Sequence, residues 1–178
     1  MKLVIREEQV EDYLTIENLI ISAFATMPFS DKKEHLLVSR LRESTEYVPE
    51  LTLVALDSNS KQIVGHILLS TCQIVNPNQS IQALALAPVS VHPEFQNKGV
   101  GSTLIKESLQ KAKSLNYDSV IVLGHPNYYP KFGFQKASLW NIKGPFEVPD
   151  ELFMALELRE NAFNNVNGKV EYSKAFFE

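Results

Sequence analysis

The chain reads as an α/β fold of the layered α+β kind: a mixed, largely antiparallel central sheet flanked by helices. Three observations predict it. Apolar residues recur at helical spacing over residues 10–24, 31–42 and 102–115. Between and after those stretches the repeat shortens to that of strands. Two of the strand-like runs are joined by the polar turn Asp57-Ser58-Asn59-Ser60, which marks an antiparallel hairpin.

Taken in order, residues 3–6 form a first short strand. Val10, Leu14, Ile16, Leu19, Ile20 and Phe24 make a helical stripe, which the stretch 26–30 with Pro28 breaks. Asp31, with Glu34 three residues on, predicts the N-cap of a second helix through Arg42 that carries Leu36, Leu37 and Leu41. Residues 51–56 and 62–72 are the hairpin strands. Asn76-Pro77-Asn78-Gln79 is a further turn and 81–91 a third long strand. A helix over 102–115 presents Leu104, Ile105, Leu109 and Ala112 on one face. Residues 120–123 are a short buried strand, and the tail predicts two more, at 137–142 and 153–158. A polar, Asn-rich turn over 161–168 leads to a last segment with Tyr172 and the apolar pair Phe176-Phe177, which needs burial on the core or across a subunit contact.

Composition narrows the functional classes. The 178 residues, 44% hydrophobic and 10% aromatic, are enough for one domain over 1–178, with a core at 3–158 and an extension at 159–178 packing on that core or on a partner. A net charge of −4 with no basic cluster argues against nucleic acid as partner. No apolar run approaches the roughly 20 residues of a membrane span. The N-terminal apolar residues meet Arg6-Glu7-Glu8 too soon for a signal-peptide core. Cys72 is the only cysteine, so an internal disulfide and a Cys-based zinc site are excluded, and no metal is expected. The expectation is a cytoplasmic protein without membrane contact, monomer or homodimer.

The most informative stretch is Gln96-Asn97-Lys98-Gly99-Val100-Gly101-Ser102, between the long strand and the third helix. A strand that turns through closely spaced glycines into a helix leaves unpaired N–H groups converging on one point, with the positive end of the helix dipole behind them. Glycine permits positive φ and close approach of an anion. The spacing fits neither the P-loop nor the dinucleotide fingerprint, where Leu104 stands in place of the third small residue. On the glycines alone, a phosphate site and a plain strand-to-helix connection remain equally open.

The combination Gln96-x-x-Gly99-x-Gly101, after Val89-Ser90-Val91-His92-Pro93, resembles the coenzyme A signature of the Gcn5-related N-acetyltransferase superfamily, Gln/Arg-x-x-Gly-x-Gly/Ala. Residues 123–134, Leu-Gly-His-Pro-Asn-Tyr-Tyr-Pro-Lys-Phe-Gly-Phe, look like that superfamily's closing motif, in which a Tyr four residues before Gly-Phe ends a short helix; here it is Tyr129. Element order agrees from residue 3 to about 158. Val64-Gly65-His66-Ile67, Tyr128-Tyr129-Pro130 and the strand from Phe153 to Leu158 are most similar to the bacterial YhbS-type branch.

The resemblance implies an acetyl-CoA-dependent N-acetyltransferase that acts by direct attack in a ternary complex on a primary amine of a small molecule or peptide. The different-class rival is an acyl-CoA-binding sensor without turnover; a third reading is an interaction protein with a plain glycine turn. For the cosubstrate, the resemblance implies pyrophosphate on the amides of Asn97, Lys98, Gly99, Val100, Gly101 and Ser102, with Lys98 adding charge. The pantetheine arm would lie along Val89, Ser90 and Val91 as an added strand, on a strand pair that splays apart. Pro88, which cannot donate to a ladder, fits such an edge or bulge. Tyr129 matches the general acid, since a phenol of pKa ~10 can protonate a thiolate whose conjugate acid is ~8.5. For the base, His125 and Glu34 stand as alternatives beside a water relay, and His66, in mid-strand, reads as a satisfied core or surface histidine. Asn127 contacts the pantetheine or the acceptor, or caps the short helix. The chain departs from the superfamily at Val122, where relatives carry Asn, and in the shortened segment 124–127.

Overall fold

The computed structural model describes residues 1–178. Its elements are β1 (Leu3–Glu7), α1 (Tyr13–Phe24), α2 (Glu34–Arg42), β2 (Tyr47–Asp57), β3 (Ile63–Asn76), β4 (Gln79–Val91), α3 (Val100–Ser114), β5 (Ser119–Leu123), β6 (Gln135–Lys136), β7 (Ile142–Lys143), β8 (Phe153–Glu157) and β9 (Gly168–Glu171). The strands form one nine-stranded sheet with main order β1-β2-β3-β4-β5-β8-β6. Every pairing along that path is antiparallel except β4 with β5. The α/β layering and largely antiparallel sheet expected from sequence are therefore present.

The two sheet faces carry separate layers. α3 lays Val100, Leu104, Ile105, Leu109 and Ala112 on the face formed by Ile67, Leu69, Leu84 and Leu86. Gly65 lets the start of α3 come down onto β3, because a Cβ there would lie 2.7 Å from a Val100 methyl. On the other face α1 and α2 bury Ile16, Leu19, Ile20, Val38 and Leu41 against Val54 and Leu68. At ~25 cal/mol per Å² of apolar surface, this burial is the main force holding each helix on its face.

Several local expectations are corrected. Val10 and Leu14 are 72% and 71% exposed, so the buried stripe of α1 starts at Ile16. Asp31 does not cap α2; its carboxylate closes a turn by accepting the Lys33 amide at 2.9 Å, and the helix begins at Glu34. Leu36 faces outward while Val38 takes the buried place. The strand expected at 137–142 is a 3-10 turn over Ala137–Trp140 between the two-residue strands β6 and β7, ended by Asn141 at φ +54°. The tail holds a strand that its one buried apolar side chain, Val170, did not reveal: β9 pairs Gln73 with Glu171 on β3 and runs parallel to β7. Phe176 packs between the tail and the α1/α2 layer, and Phe177 is 62% exposed.

Beneath α1 and α2 lies a buried charged cluster. Glu8, just past β1, accepts both Arg42 guanidinium hydrogen bonds, at 2.9 and 2.8 Å, and the Tyr47 hydroxyl at 2.8 Å. His66 Nε2 stands 3.2 Å from the same carboxylate. The side chains of Glu8, Arg42 and His66 are 1%, 6% and 0% exposed, and the Tyr13 ring covers the guanidinium at 3.7 Å. Burial pushes the Glu8 carboxyl up, but His66 and Arg42 outweigh it and hold it at about 2, against 4.5 ordinarily. Burial also lowers the His66 pKa, opposed by Glu8.

Both depressed pKa values give stability that is present above the ordinary values and lost as pH falls through the folded ones. Acid unfolding is therefore expected to begin below the ordinary histidine range and to steepen below pH 4.5 as Glu8 takes up its proton. Arg42→Ala, which leaves Glu8 buried without its cation, should cost about 3–5 kcal/mol at pH 7. Urea unfolding at a series of pH values should show that deficit shrinking toward pH 3. A deficit independent of pH would show that Glu8 is not the group Arg42 stabilises.

Candidate functional site

The site begins where two strands part. β4 and β5 are paired only at Leu84–Val120 and Ala85–Ile121; beyond that β4 runs on to Val91 while β5 continues against β8. A bulge moves the β3 register from Ile67–Val89 to Leu69–Leu86, and Pro88 lies inside it. The His92 amide donates to Val64 C=O at 2.9 Å. Because antiparallel pairs alternate, Ser90 then turns its backbone groups to His66 on β3, and Val89 and Val91 turn theirs to the side β5 has left. Val91 C=O faces that way, accepting from Gln96 Nε2 at 3.3 Å.

Past β4 the chain makes a 3-10 turn at Pro93–Phe95, with the His92 ring accepting the Glu94 amide. Asn97 at φ +59° and Gly99 at φ +84° then set up the start of α3. Gly99 caps α3 with no side-chain acceptor. The amides of Asn97, Lys98, Gly99, Val100, Gly101 and Ser102 donate to no protein group, and they sit at the positive end of a 15-residue helix. Lys98 Nζ lies 5.2 Å from the Phe95 ring centre at the turn's edge. A run of free amides next to an open strand edge is equipped to hold an anion with an extended arm attached.

The segment after β5 closes the site from the other side. Tyr129 opens a 3-10 turn that ends at Gly133, φ +98°. Its ring is 7% exposed, edge-on to Tyr128 and Phe134 at 5.2 and 5.7 Å. Burial, then the neighbouring Tyr128, push the Tyr129 phenol above the ordinary range. Tyr128 reaches α3: its hydroxyl is 3.5 Å from Ser102 Oγ and would be 3.1 Å from a Cβ on Gly101. Lys131 Nζ stands 4.0 Å over the Tyr128 ring. His125 is exposed and accepts the Asn127 amide on Nδ1 at 3.2 Å. Asn127 is exposed and makes no side-chain cap, Tyr128 being the cap residue.

The structure thus brings Tyr129, His125 and Asn127 onto one segment, tied by Tyr128 to Gly101 and Ser102. Glu34 stands at the start of α2, in the layer on the opposite sheet face, and accepts the Ser30 hydroxyl. Sequence reasoning left out Lys131 as a contributor to this wall and read Tyr128 only as core packing or a substrate contact. Their signal was the Tyr doublet and a lysine two residues before Gly133. A cavity of about 800 Å³ lies elsewhere, between α2, Thr71–Gln73 and the tail, and includes no residue of the glycine turn. No group of three or more His, Cys, Asp or Glu side chains is gathered as a metal site would need.

A family model for the acetyltransferase (GNAT) domain matches residues 5–137. Among curated proteins, the uncharacterized N-acetyltransferase YhbS of Escherichia coli K12 is 29% identical over 156 residues, 88% of this chain and 90% of that protein. The uncharacterized N-acetyltransferase YjhQ of the same strain is 35% identical over 127 residues, 71% of this chain and 69% of that protein. Among solved structures, E. coli YhbS in complex with CoA superposes with a TM-score of 0.88 at 27% identity, over 100% of this chain and 93% of that one. A GNAT family acetyltransferase from Brucella melitensis in complex with acetyl-CoA superposes at 0.79 with 28% identity, covering 98% of each chain.

Within the site the tightest packing is at Gly124, where a Cβ would lie 2.2 Å from a Tyr129 ring carbon. Gly124→Ala is therefore expected to displace the ring and cost about 1–3 kcal/mol by overpacking. Near-UV circular dichroism and urea midpoints check this. An unchanged aromatic signal with unchanged stability would mean that the ring is not seated against Gly124.

Proposed function

Because this chain belongs to the GNAT acetyltransferase family, we propose that it transfers an acetyl group from acetyl-CoA to a primary amine of a small molecule or peptide, by direct attack in a ternary complex. The observation that carries the reading is the run of free amides over Asn97 to Ser102 beside the open edge of β4. The two solved relatives that hold CoA or acetyl-CoA support it. When bound, acetyl-CoA supplies the thioester carbonyl and a thiolate leaving group.

The chain's own residues divide the work. The amides of residues 97–102 take the pyrophosphate, with the α3 dipole behind them and Lys98 at the rim. Val89 and Val91 offer backbone groups to the pantetheine as a further strand would, and an N–H from this edge donates to the carbonyl oxygen as charge develops on it. Ser90 keeps its backbone in the ladder to β3, and Gln96 holds the turn by its bond to Val91. Asn127, on the facing segment, is free to contact the arm. Tyr129 donates the proton that the thiolate takes up; with its pKa raised by burial it keeps that proton at any physiological pH. His125 and Glu34 are held in turns by Asn127 and Ser30, so neither carries the base role on the strength of its contacts.

The net charge of −4 favours cationic amines as acceptors by steering. We take residues 1–178 as one catalytic domain, with 159–178 packed on the core through β9, acting in the cytoplasm as a monomer or homodimer. No helix is long and apolar enough to cross a membrane.

Calorimetric titration with acetyl-CoA should give micromolar binding that Gly101→Val abolishes, since that side chain enters the space between α3 and Tyr128. A folded wild-type protein that binds no acetyl-CoA would overturn the reading. Tyr129→Phe should retain binding and lose about 10²–10⁴-fold in turnover. In the wild type the alkaline limb of the rate should lie above the ordinary phenol range, because a raised pKa keeps the acid protonated to higher pH. Full activity in Tyr129→Phe would remove it as the acid.

A further inference from the structure

The buried side of β3 and β4 carries polar atoms that the transfer, as described so far, does not use. His66 Nδ1 and Ser90 Oγ are both buried without a protein partner, although their residues are 0% and 2% exposed. His66 and Ser90 are directly opposed across the β3–β4 ladder, so their side chains leave the same sheet face with Cβ atoms about 5 Å apart. At its other nitrogen the imidazole meets the Glu8 carboxylate at 3.2 Å. An ionised Glu8 can only accept, so Nε2 carries the imidazole hydrogen and Nδ1 is left with a bare lone pair that no protein group uses. Ser90 lies between Val89 and Val91, whose backbone groups face the open edge. Ser70, the third buried hydroxyl without a partner, lies four residues further along β3, about 13 Å away at strand spacing, and stands apart from this pair.

We propose that Ser90 and His66 form the path that takes up the proton of the acceptor amine, with Glu8 as the positioning residue of the imidazole. The proposal rests on the acetyltransferase reading and names the base that His125 and Glu34 leave unassigned. An N–H bond of the alkylammonium breaks and its proton passes to Ser90 Oγ, while the Ser90 hydroxyl, which does not bond Nδ1 at rest and turns to meet it, gives its own proton to His66 Nδ1. The lone pair left on nitrogen forms the C–N bond and the C–S bond breaks; Tyr129 protonates the thiolate and recovers its proton from the second one the nitrogen loses, and the proton on His66 returns to solvent by the reverse path after the product leaves. Burial, and to a lesser degree Arg42, disfavour the imidazolium so formed, and Glu8 offsets part of that, so the ring holds the proton only in passing. Glu8 and Arg42 are the charged groups that bear on the ring. Tyr47 from β2 and Tyr13 from α1 reach it only through Glu8 and Arg42. The order carboxylate, imidazole, hydroxyl is the one that activates a nucleophile in hydrolases, used here to free an amine.

Two measurements decide it, with acetyl-CoA and 2-phenylethylamine as probes. The first is the nitrogen-15 spectrum of the His66 imidazole in the intact protein at pH 7–8. A hydrogen on Nε2 and a bare Nδ1 are expected, and a hydrogen on Nδ1 overturns the proposal whether or not the probe amine turns over. The second is thiol release as a function of pH in the wild type and in Ser90→Ala and His66→Gln. Ser90→Ala removes a buried hydroxyl that has no partner, so its Tm should equal or exceed that of the wild type and its loss is chemical. It should keep the acetyl-CoA KM, lose about 10²-fold or more in kcat at pH 7, and recover toward the amine's own pKa as free amine accumulates. Wild-type and Ser90→Ala profiles that coincide sink the relay and leave the acetyltransferase reading standing. A wild type that binds no acetyl-CoA by calorimetry sinks both.

Discussion

The parting of β4 and β5 is the constraint on which the rest of the molecule depends. They are the parallel pair of the main sheet path, and a parallel pair requires a crossover, which here is α3. The crossover must begin at the C-terminal end of β4, so the amides at the start of α3 are delivered to the end of the same strand whose edge is open. β5 holds β4 for two residues and then belongs to β8. Its own C-terminal end therefore lies across the gap and carries the Tyr128-Tyr129 segment there. Strand edge, glycine turn and tyrosine turn are three consequences of one divergence.

The two layers serve different halves of the task. On the α3 face the contacts are apolar, and the free amides at the start of the helix are fixed in place by the fit of Val100 and Leu104 over Gly65. On the α1/α2 face the sheet buries charge. Arg42 and Glu8 are desolvated together, an arrangement seldom more stabilising than well-packed apolar side chains. Its retention at the centre of this layer fits a role beyond stability, and the imidazole it holds lies directly across the ladder from the open stretch of β4.

What the sequence made legible follows the same division. The glycine turn, the hairpin and the order of elements were readable because each is a local pattern: Gly99 and Gly101 in register with Gln96, a period of two on either side of residues 57–60. The short helical turn at Tyr129 was readable as part of a contiguous motif. The cluster of Glu8, Arg42, Tyr47 and His66 was not, because its members lie on β1, α2, β2 and β3 and share no spacing; only the folded sheet brings them within hydrogen-bond distance. His66 read as a core or a surface histidine; burial makes it a core one, and its partners could not be seen. The tail failed for another reason. Four residues with one buried apolar side chain make no periodicity, and β9 exists because β3 outruns β2 and offers it the edge at Gln73 to Val75.

The two halves meet at Ser90. Its backbone is held in the β3 ladder, which lets the neighbouring Val89 and Val91 face the open edge, and its side chain enters the polar face beneath α1. A residue with both duties cannot change freely. A larger side chain would have no room in the buried place beside His66, and an insertion would reverse which backbone groups face outward. The bulge at Pro88 absorbs the register change one turn of the strand earlier, so the parity set by His92 and Val64 is kept through Ser90. The irregularity in β4 is thus what allows one strand to pair closely with β5 at Ala85 and present a correctly phased free edge from Val89 onward.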